Sequence, residues 1–270
     1  MSHTRQPTTA LITGASSGIG AIYADRMAKR GHNLVLVARD RDRLNALATG
    51  LTRENRVNVE IIAADLTVKA DLARVEQRLR DDAAINMLIN NAGRGVDGTI
   101  ATAQPDQMEA MILLNVLAPT LLTRAILPRL LAQEHGTIIN IASVLALTPE
   151  MFGGSYSATK SYLFSLTLAL HEEVGKHGIQ VQAVLPGVTR TEIWERSGKD
   201  INALPAEMIM EAGEMVDAAL VGLDMRELVT IPSLPDLSDW TTYNAARLYM
   251  GPNLSREHAA ERYRKHAISS

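Results

Sequence analysis

Seven short aliphatic runs punctuate the chain, at residues 10–13, 34–38, 59–64, 87–91, 137–141, 181–185 and 228–231. Several are continuous rather than alternating in polarity. Strands covered on both faces read this way, because a strand with one wet face alternates. Between the runs lie stretches of helical period. Within 40–55, Leu44, Leu47 and Leu51 mark one face while Asp42, Arg43 and Glu54 mark another. The stretches 109–131 and 155–177 are long enough for helices of several turns, and 217–226 closes a further one. One run alone could be any buried segment. The series specifies an α/β chain built on a doubly wound parallel sheet of seven strands.

A length of 270 residues admits one domain or two. No linker rich in Pro, Gly or Ser divides the chain, and no internal repeat is visible. The reading is therefore a single domain over 1–234. Beyond Ile231 the alternation stops at a turn and helix cap, Leu234-Pro235-Asp236-Leu237-Ser238-Asp239, followed by amphipathic helical stretches to about His266. Residues 235–270 are read as a helical C-terminal extension, not a separate domain.

An apolar share of 46% excludes disordered and collagen-like classes, and the many small residues beside two Phe and two Trp suit helices packed closely on a sheet. A net charge of −3 argues against nucleic acid or an anionic membrane as partner. The chain has no cysteine, which excludes a disulfide framework, a thiolate metal site and a catalytic thiol. The scattered histidines give no metal site. The segment Met1–Pro7 carries no signal-peptide pattern, and the longest uncharged stretch, 6–24, is too rich in Thr, Ser and Gly to span a bilayer. A soluble cytoplasmic protein is expected.

The first run leads into Thr13-Gly14-Ala15-Ser16-Ser17-Gly18-Ile19-Gly20 and then a helical stretch at 21–30. Glycines there permit a tight turn and close approach of backbone N–H groups to a pyrophosphate at a helix N-terminus. The spacing is T-G-x-x-x-G-x-G. Further landmarks follow in order: Asp65, Asn90-Asn91-Ala92-Gly93, Asn115, Ser143, Tyr156-x-x-x-Lys160, and Pro186-Gly187 with Thr191. With these, the sequence resembles the short-chain dehydrogenase/reductase family from about Thr8 to Ile231.

The resemblance implies a Rossmann fold, a nicotinamide cofactor and hydride transfer. Gly14, Ser16, Ser17, Gly18, Ile19 and Gly20 would cradle the cofactor. Asp65 and Leu66 would border its adenine, and Asn91, Ala92 and Gly93 its ribose side. Pro186, Gly187, Thr189 and Thr191 would hold the carboxamide, while Lys160 grips the nicotinamide ribose beside Tyr156. At the end of the second run Ala38 stands where an acid would bind the ribose 2′-OH, and Arg39 follows. NADP(H) is favoured and NAD(H) remains possible, because Ser17 stands where NADP-preferring members often carry a second basic residue. Asp40 could serve as a ribose acceptor, and Arg39 could be a solvated loop residue.

Tyr156 and Lys160 are one helical turn apart on one face. A nearby ammonium favours phenolate and brings a phenol closer to working pH. In isolation this spacing is more often an exposed pair; the glycine loop and Ser143 upstream reverse that. Ser143 follows a strand, at the end where ligands of open α/β sheets bind. The resemblance gives it the role of orienting the substrate oxygen, and gives Asn115 a water-mediated proton path to Lys160. The catalytic group is thus Asn115, Ser143, Tyr156 and Lys160, acting on a small-molecule carbonyl or alcohol.

Substrate choice is placed in Val144, Leu145, Ala146, Phe152 and Gly153, in Arg94, and in a mobile lid over 193–215 holding Trp194, Met208, Met210 and Met215. Its apolar content points to a modestly hydrophobic ketone or secondary alcohol. The alternatives are a 3-oxoacyl-thioester reductase and a non-catalytic NADP(H)-binding redox sensor. Family members usually assemble as homodimers or homotetramers through the two long helices.

Overall fold

The structure is a computed structural model, and it describes residues 8–151 and 154–264. The segment Met1–Pro7, the proposed pocket residues Phe152 and Gly153, and the expected helix end near His266 lie outside the described residues. The chain divides into two compact units, Met1–Pro232 and Ser233–Ser270.

In the first unit, seven strands form one all-parallel sheet in the order β3-β2-β1-β4-β5-β6-β9. They are β1 (Thr9–Thr13), β2 (Asn33–Ala38), β3 (Val59–Ala63), β4 (Ile85–Asn90), β5 (Gly136–Ile141), β6 (Ile179–Val184) and β9 (Val229–Thr230). A second, two-stranded sheet pairs β7 (Thr189–Arg190) with β8 (Met210–Glu211). Every residue of β1 is buried, as its unbroken apolar run requires, whereas the edge strand β3 is only partly covered. The winding direction reverses at β1 and β4, which places a crevice beyond their carboxyl ends.

Helices α1 (Gly18–Lys29), α2 (Arg41–Asn55) and α8 (Ala212–Asp224) bury Tyr23, Met27, Leu44 and Val216 in one core, together with Ala10 and Ile12 of β1. On the other face α3 (Lys69–Asp81), α5 (Ala118–Gln133) and α6 (Gly154–Val174) enclose Leu11, Val75, Leu122, Ile126 and Leu170. The alternation of Ala10, Leu11 and Ile12 between the two cores follows from the strand's twofold side-chain period. Short α7 (Ile193–Arg196) follows β7.

The helix expected at 109–131 is not uniform. It begins with α4 (Pro105–Ile112), widens into a π turn at Leu113–Leu117, and continues as α5. The whole run Pro105–Gln133 is long and apolar enough, by length and composition, to cross a membrane. Here its apolar side is part of the core, with Met111, Ala118, Leu122, Ile126 and Leu130 buried. The helix expected at 217–226 starts earlier, at Ala212, because Glu211 is the extended N-cap. That start carries Met215 out of the expected lid and into the core, where it is fully buried.

The second unit contains α9 (Leu237–Tyr249), a short turn at Gly251–Asn253 and α10 (Glu261–Arg264). Asp236 caps α9 by accepting from the Ser238 N–H at 2.8 Å. No residue of α9 is buried, and its Trp240 and Tyr243 rings lie 5.8 Å apart.

Candidate active site

The carboxyl end of β1 is shaped by the segment after β4. The Thr13 hydroxyl donates to the Ile89 carbonyl at 3.3 Å and accepts from the backbone N–H groups of Asn91 and Ala92, both at 3.0 Å. The Asn91 amide in turn donates to the carbonyls of Thr13 and Gly14, at 2.9 and 3.3 Å. Two glycines make this fit possible. Gly14 has φ +67°, and a Cβ on Gly20 would stand 2.3 Å from the Gly14 carbonyl oxygen. Ser17 is the N-cap of α1, yet its side chain makes no capping bond and the first turn carries no acid. An uncapped helix start behind a glycine cradle fits a phosphate group. Ser16 lies in the turn and Gly18 opens α1, while Ile19 faces back and packs on the core beneath α1.

Beside this cradle, exposed Arg39 lies 3.9 Å from Asp65. Burial raises the Asp65 carboxyl, but bonds from the Thr67 hydroxyl and N–H at 2.7 and 2.9 Å, with the charges of Arg39 and Arg94, outweigh it and hold the group below the usual range. Leu66 is buried next to it. Asp40 is committed elsewhere, capping α2 by accepting from the Arg43 N–H at 3.0 Å.

Helix α6 presents Tyr156 half-buried and Lys160 buried. The Lys160 ammonium donates to the Ile141 carbonyl at the end of β5, at 2.7 Å, and stands 5.8 Å from the Tyr156 ring centroid. Burial pushes Lys160 down to about 8 and Tyr156 up to about 12. The sequence leads one to expect a phenol drawn down by its lysine. Desolvation of the phenol dominates instead.

Ser143 is buried at the carboxyl end of β5. It caps the short turn Val144–Ala146, and its Oγ accepts from the Leu145 N–H at 3.2 Å. Among the described residues no acceptor takes the hydroxyl proton. Val144 N–H donates to the Pro186 carbonyl at 3.0 Å, which ties this turn to the segment after β6.

Asn115 sits buried in the π turn. Its Oδ1 accepts from the Arg94 N–H, and its Nδ2 donates to the Arg94 carbonyl, both at 2.9 Å. Nδ2 also donates to the Thr159 hydroxyl at 3.0 Å. Over Gly93, the Cβ position is 3.4 Å from Asn115 Oδ1 and 3.5 Å from Lys160 Nζ, so both atoms border one small space. π turns recur at functional sites, and this one is what turns Asn115 inward.

The segment after β6 closes over the glycine loop. Thr189 donates to the Gly187 carbonyl at 3.1 Å, and its own carbonyl accepts from the Trp194 indole N–H at 2.9 Å. The Thr191 methyl is 3.3 Å from the Cβ position of Gly18. Farther on, Ser197 Oγ lies 2.6 Å from the Cβ position of Gly95, so the turn after α7 rests on the loop after β4. Met208 is exposed on this segment and Met210 belongs to β8.

The expected site residues therefore gather at one end of the sheet. Thr13 opens the glycine motif in the sequence, but the loop-holding roles of the Thr13, Thr67 and Thr159 hydroxyls are not read from it. Only Thr67 carried a local signal, the Asp-x-Thr spacing of a side-chain turn. Among the described residues no cluster of three His, Asp or Glu could hold a metal ion. A separate open groove of about 540 Å³, lined by Ile100, Pro105, Met108 and Ile112, shares no residue with this site.

A glycine turn at the switch point of a parallel sheet, with a tyrosine and lysine on a helix at the same end, is the setting in which likeness to known proteins places the chain among oxidoreductases. Residues 8–202 match the short chain dehydrogenase family, and the chain belongs to it. A short-chain dehydrogenase from Sphingobium yanoikuyae, in complex with NADPH, is 50% identical with a TM-score of 0.92, covering 94% of this chain and 98% of that one. The bulky-bulky ketone specific alcohol dehydrogenase from Comamonas testosteroni is 46% identical with a TM-score of 0.89, covering 96% and 99%. An uncharacterized oxidoreductase of Staphylococcus epidermidis is 32% identical over 82% of this chain and 93% of its own.

Proposed function

We propose that this chain is an NADP(H)-preferring oxidoreductase that interconverts a ketone or aldehyde with an alcohol, using Tyr156 as general acid and base. The observation that carries it is the placement of Tyr156 and Lys160 one turn apart on α6, with Lys160 Nζ and Asn115 Oδ1 bordering one space beside Gly93. The NADPH complex of the Sphingobium relative supports the cofactor. The cradle of Gly14, Gly18 and Gly20, the uncapped start of α1 and the Arg39 cation fit its phosphates. Asn91, Ala92 and Gly93, with Asp65 and Leu66, would line the adenosine side, and Pro186, Gly187, Thr189 and Thr191 the nicotinamide side.

When bound, the nicotinamide supplies the hydride in reduction and takes it back in oxidation. Tyr156, a neutral phenol at pH 7, would give its proton to the carbonyl oxygen in the reduction direction and take it back in oxidation. The Ser143 O–H donates to the same oxygen and holds it in place while negative charge develops there. Lys160, charged below about pH 8, stabilises the phenolate that remains. Asn115 Oδ1 faces the same space and would guide a proton from solvent back to Tyr156.

The likeness to the Comamonas enzyme supports ketones bearing sizeable groups on both sides. We read residues 235–270 as an appendage of the catalytic domain, since α9 buries no side chain. A soluble cytoplasmic homodimer or homotetramer completes the reading. The test is turnover of a panel of bulky ketones with NADPH and NADH, beside Tyr156→Phe. NADPH-driven reduction that falls by about a thousandfold in the variant supports the function. Tight NADPH binding without turnover of any ketone would favour a redox sensor, and turnover confined to 3-oxoacyl thioesters would favour that narrower reductase.

A further inference from the structure

We propose that Thr159 is a positioning residue for this reaction, locking Asn115 to the helix that carries Tyr156 and Lys160. The proposal rests on the functional reading above.

Thr159 lies between the two in sequence, and its side chain is buried. Its hydroxyl donates to the Tyr156 carbonyl at 2.7 Å and accepts from Asn115 Nδ2 at 3.0 Å. The direction of both bonds is forced. A carbonyl only accepts, so the single hydroxyl proton must go to Tyr156, and the lone pair is left for the amide. A threonine bonded to a carbonyl one turn back is common in helices. The cross-helix bond is not local. It joins the π turn Leu113–Leu117 to α6, and it decides where the Asn115 side chain can sit.

With both N–H groups of Asn115 taken, by Arg94 and Thr159, the amide presents Oδ1 to the space it shares with Lys160 Nζ over Gly93. Removing the hydroxyl alone would leave one buried N–H without a partner and free the amide to turn away from that space. The proton path then weakens while the cofactor and substrate contacts stay in place.

Thr159→Val keeps the shape and removes the hydroxyl, whereas Thr159→Ser keeps the hydroxyl and removes the methyl. In NADPH-dependent ketone reduction we expect Val to lower kcat about tenfold. KM and the Kd for NADPH should stay within about twofold, and the solvent deuterium isotope effect on kcat should grow as proton transfer becomes limiting. Ser should restore kcat to within about twofold of wild type. Placed on an Asn115→Ala background, Thr159→Val should cost little more, since both act through one bond. The proposal is overturned if Val leaves kcat and the isotope effect unchanged, if Ser loses as much as Val, or if the two losses add in full. Wild-type protein with no turnover dependent on Tyr156 overturns the functional reading, and this proposal with it.

Discussion

Arg43, in the first turn of α2, holds both carboxylate oxygens of Glu192 at 2.9 Å, although the two residues are 149 positions apart. Glu192 directly follows Thr191, whose methyl rests over Gly18, so the ion pair straps the segment after β6 to the helix on the far side of the glycine turn. Glu192→Gln should speed dissociation of NADPH about threefold at low salt. Raising ionic strength should bring wild type toward the variant, because both groups are exposed. Stopped-flow fluorescence of bound NADPH reads the rate, and equal rates at low salt would remove the strap from the account.

Gly20 allows α1 to start against the turn it follows. A methyl group there would stand 2.3 Å from the Gly14 carbonyl oxygen and 2.5 Å from Asn91 Nδ2. Backbone cannot yield as a flexible side chain can. Gly20→Ala should cost roughly 2–3 kcal/mol of stability and weaken NADPH at least about tenfold. Urea unfolding and a cofactor titration check the two effects separately.

Much of this architecture is legible in the residues, for a physical reason that also marks the limit. The run 34–38 is continuous because β2 is covered on both faces, and its burial is visible in composition alone. The π turn is not visible. A turn widened by one residue leaves the apolar content of 109–131 unchanged, and the inward aim of Asn115 follows from backbone geometry. Met215 shows the same limit, since methionines spaced for a helix serve a pocket or a core equally well. The start of α8 at Ala212 decides between them. Asp40 reads as a possible ribose acceptor by position, yet the Arg43 N–H three residues on makes it a cap. The Tyr156–Lys160 spacing is readable, but the burial that raises the phenol comes from packing that only the folded chain supplies.

Arg39 is exposed apart from its approach to Asp65, and on the proposed function it would face the adenosine end of the cofactor. Arg39→Ala should reduce kcat/KM with NADPH by about ten- to a hundredfold, while kcat/KM with NADH changes by less than about threefold. Parallel losses with both cofactors would show that Arg39 does not read the 2′-phosphate.

Lys160 links the site to pH. Its folded value, about 8, lies below the ordinary 10.5 because burial disfavours the ammonium. Between those values the unfolded chain binds more protons than the folded one, so stability rises with pH across the window. Below about pH 8 the cost of the buried charge is fully present. The stability of cofactor-free wild type relative to Lys160→Met should therefore rise by about 3 kcal/mol from pH 7.5 to 10.5. Urea midpoints of both proteins at several pH values test this. A difference independent of pH would mean that the ammonium is not desolvated.

The grip of Asn91 on Thr13 joins residues 78 positions apart, and every strand of the main sheet pairs only in parallel. No hairpin can start such a sheet, so loop closure must precede each pairing during folding. A nascent chain that has made β1 to β3 holds its glycines but not the hand that shapes them. Recovery of nucleotide binding during refolding should then lag early helix formation and coincide with the docking of β4.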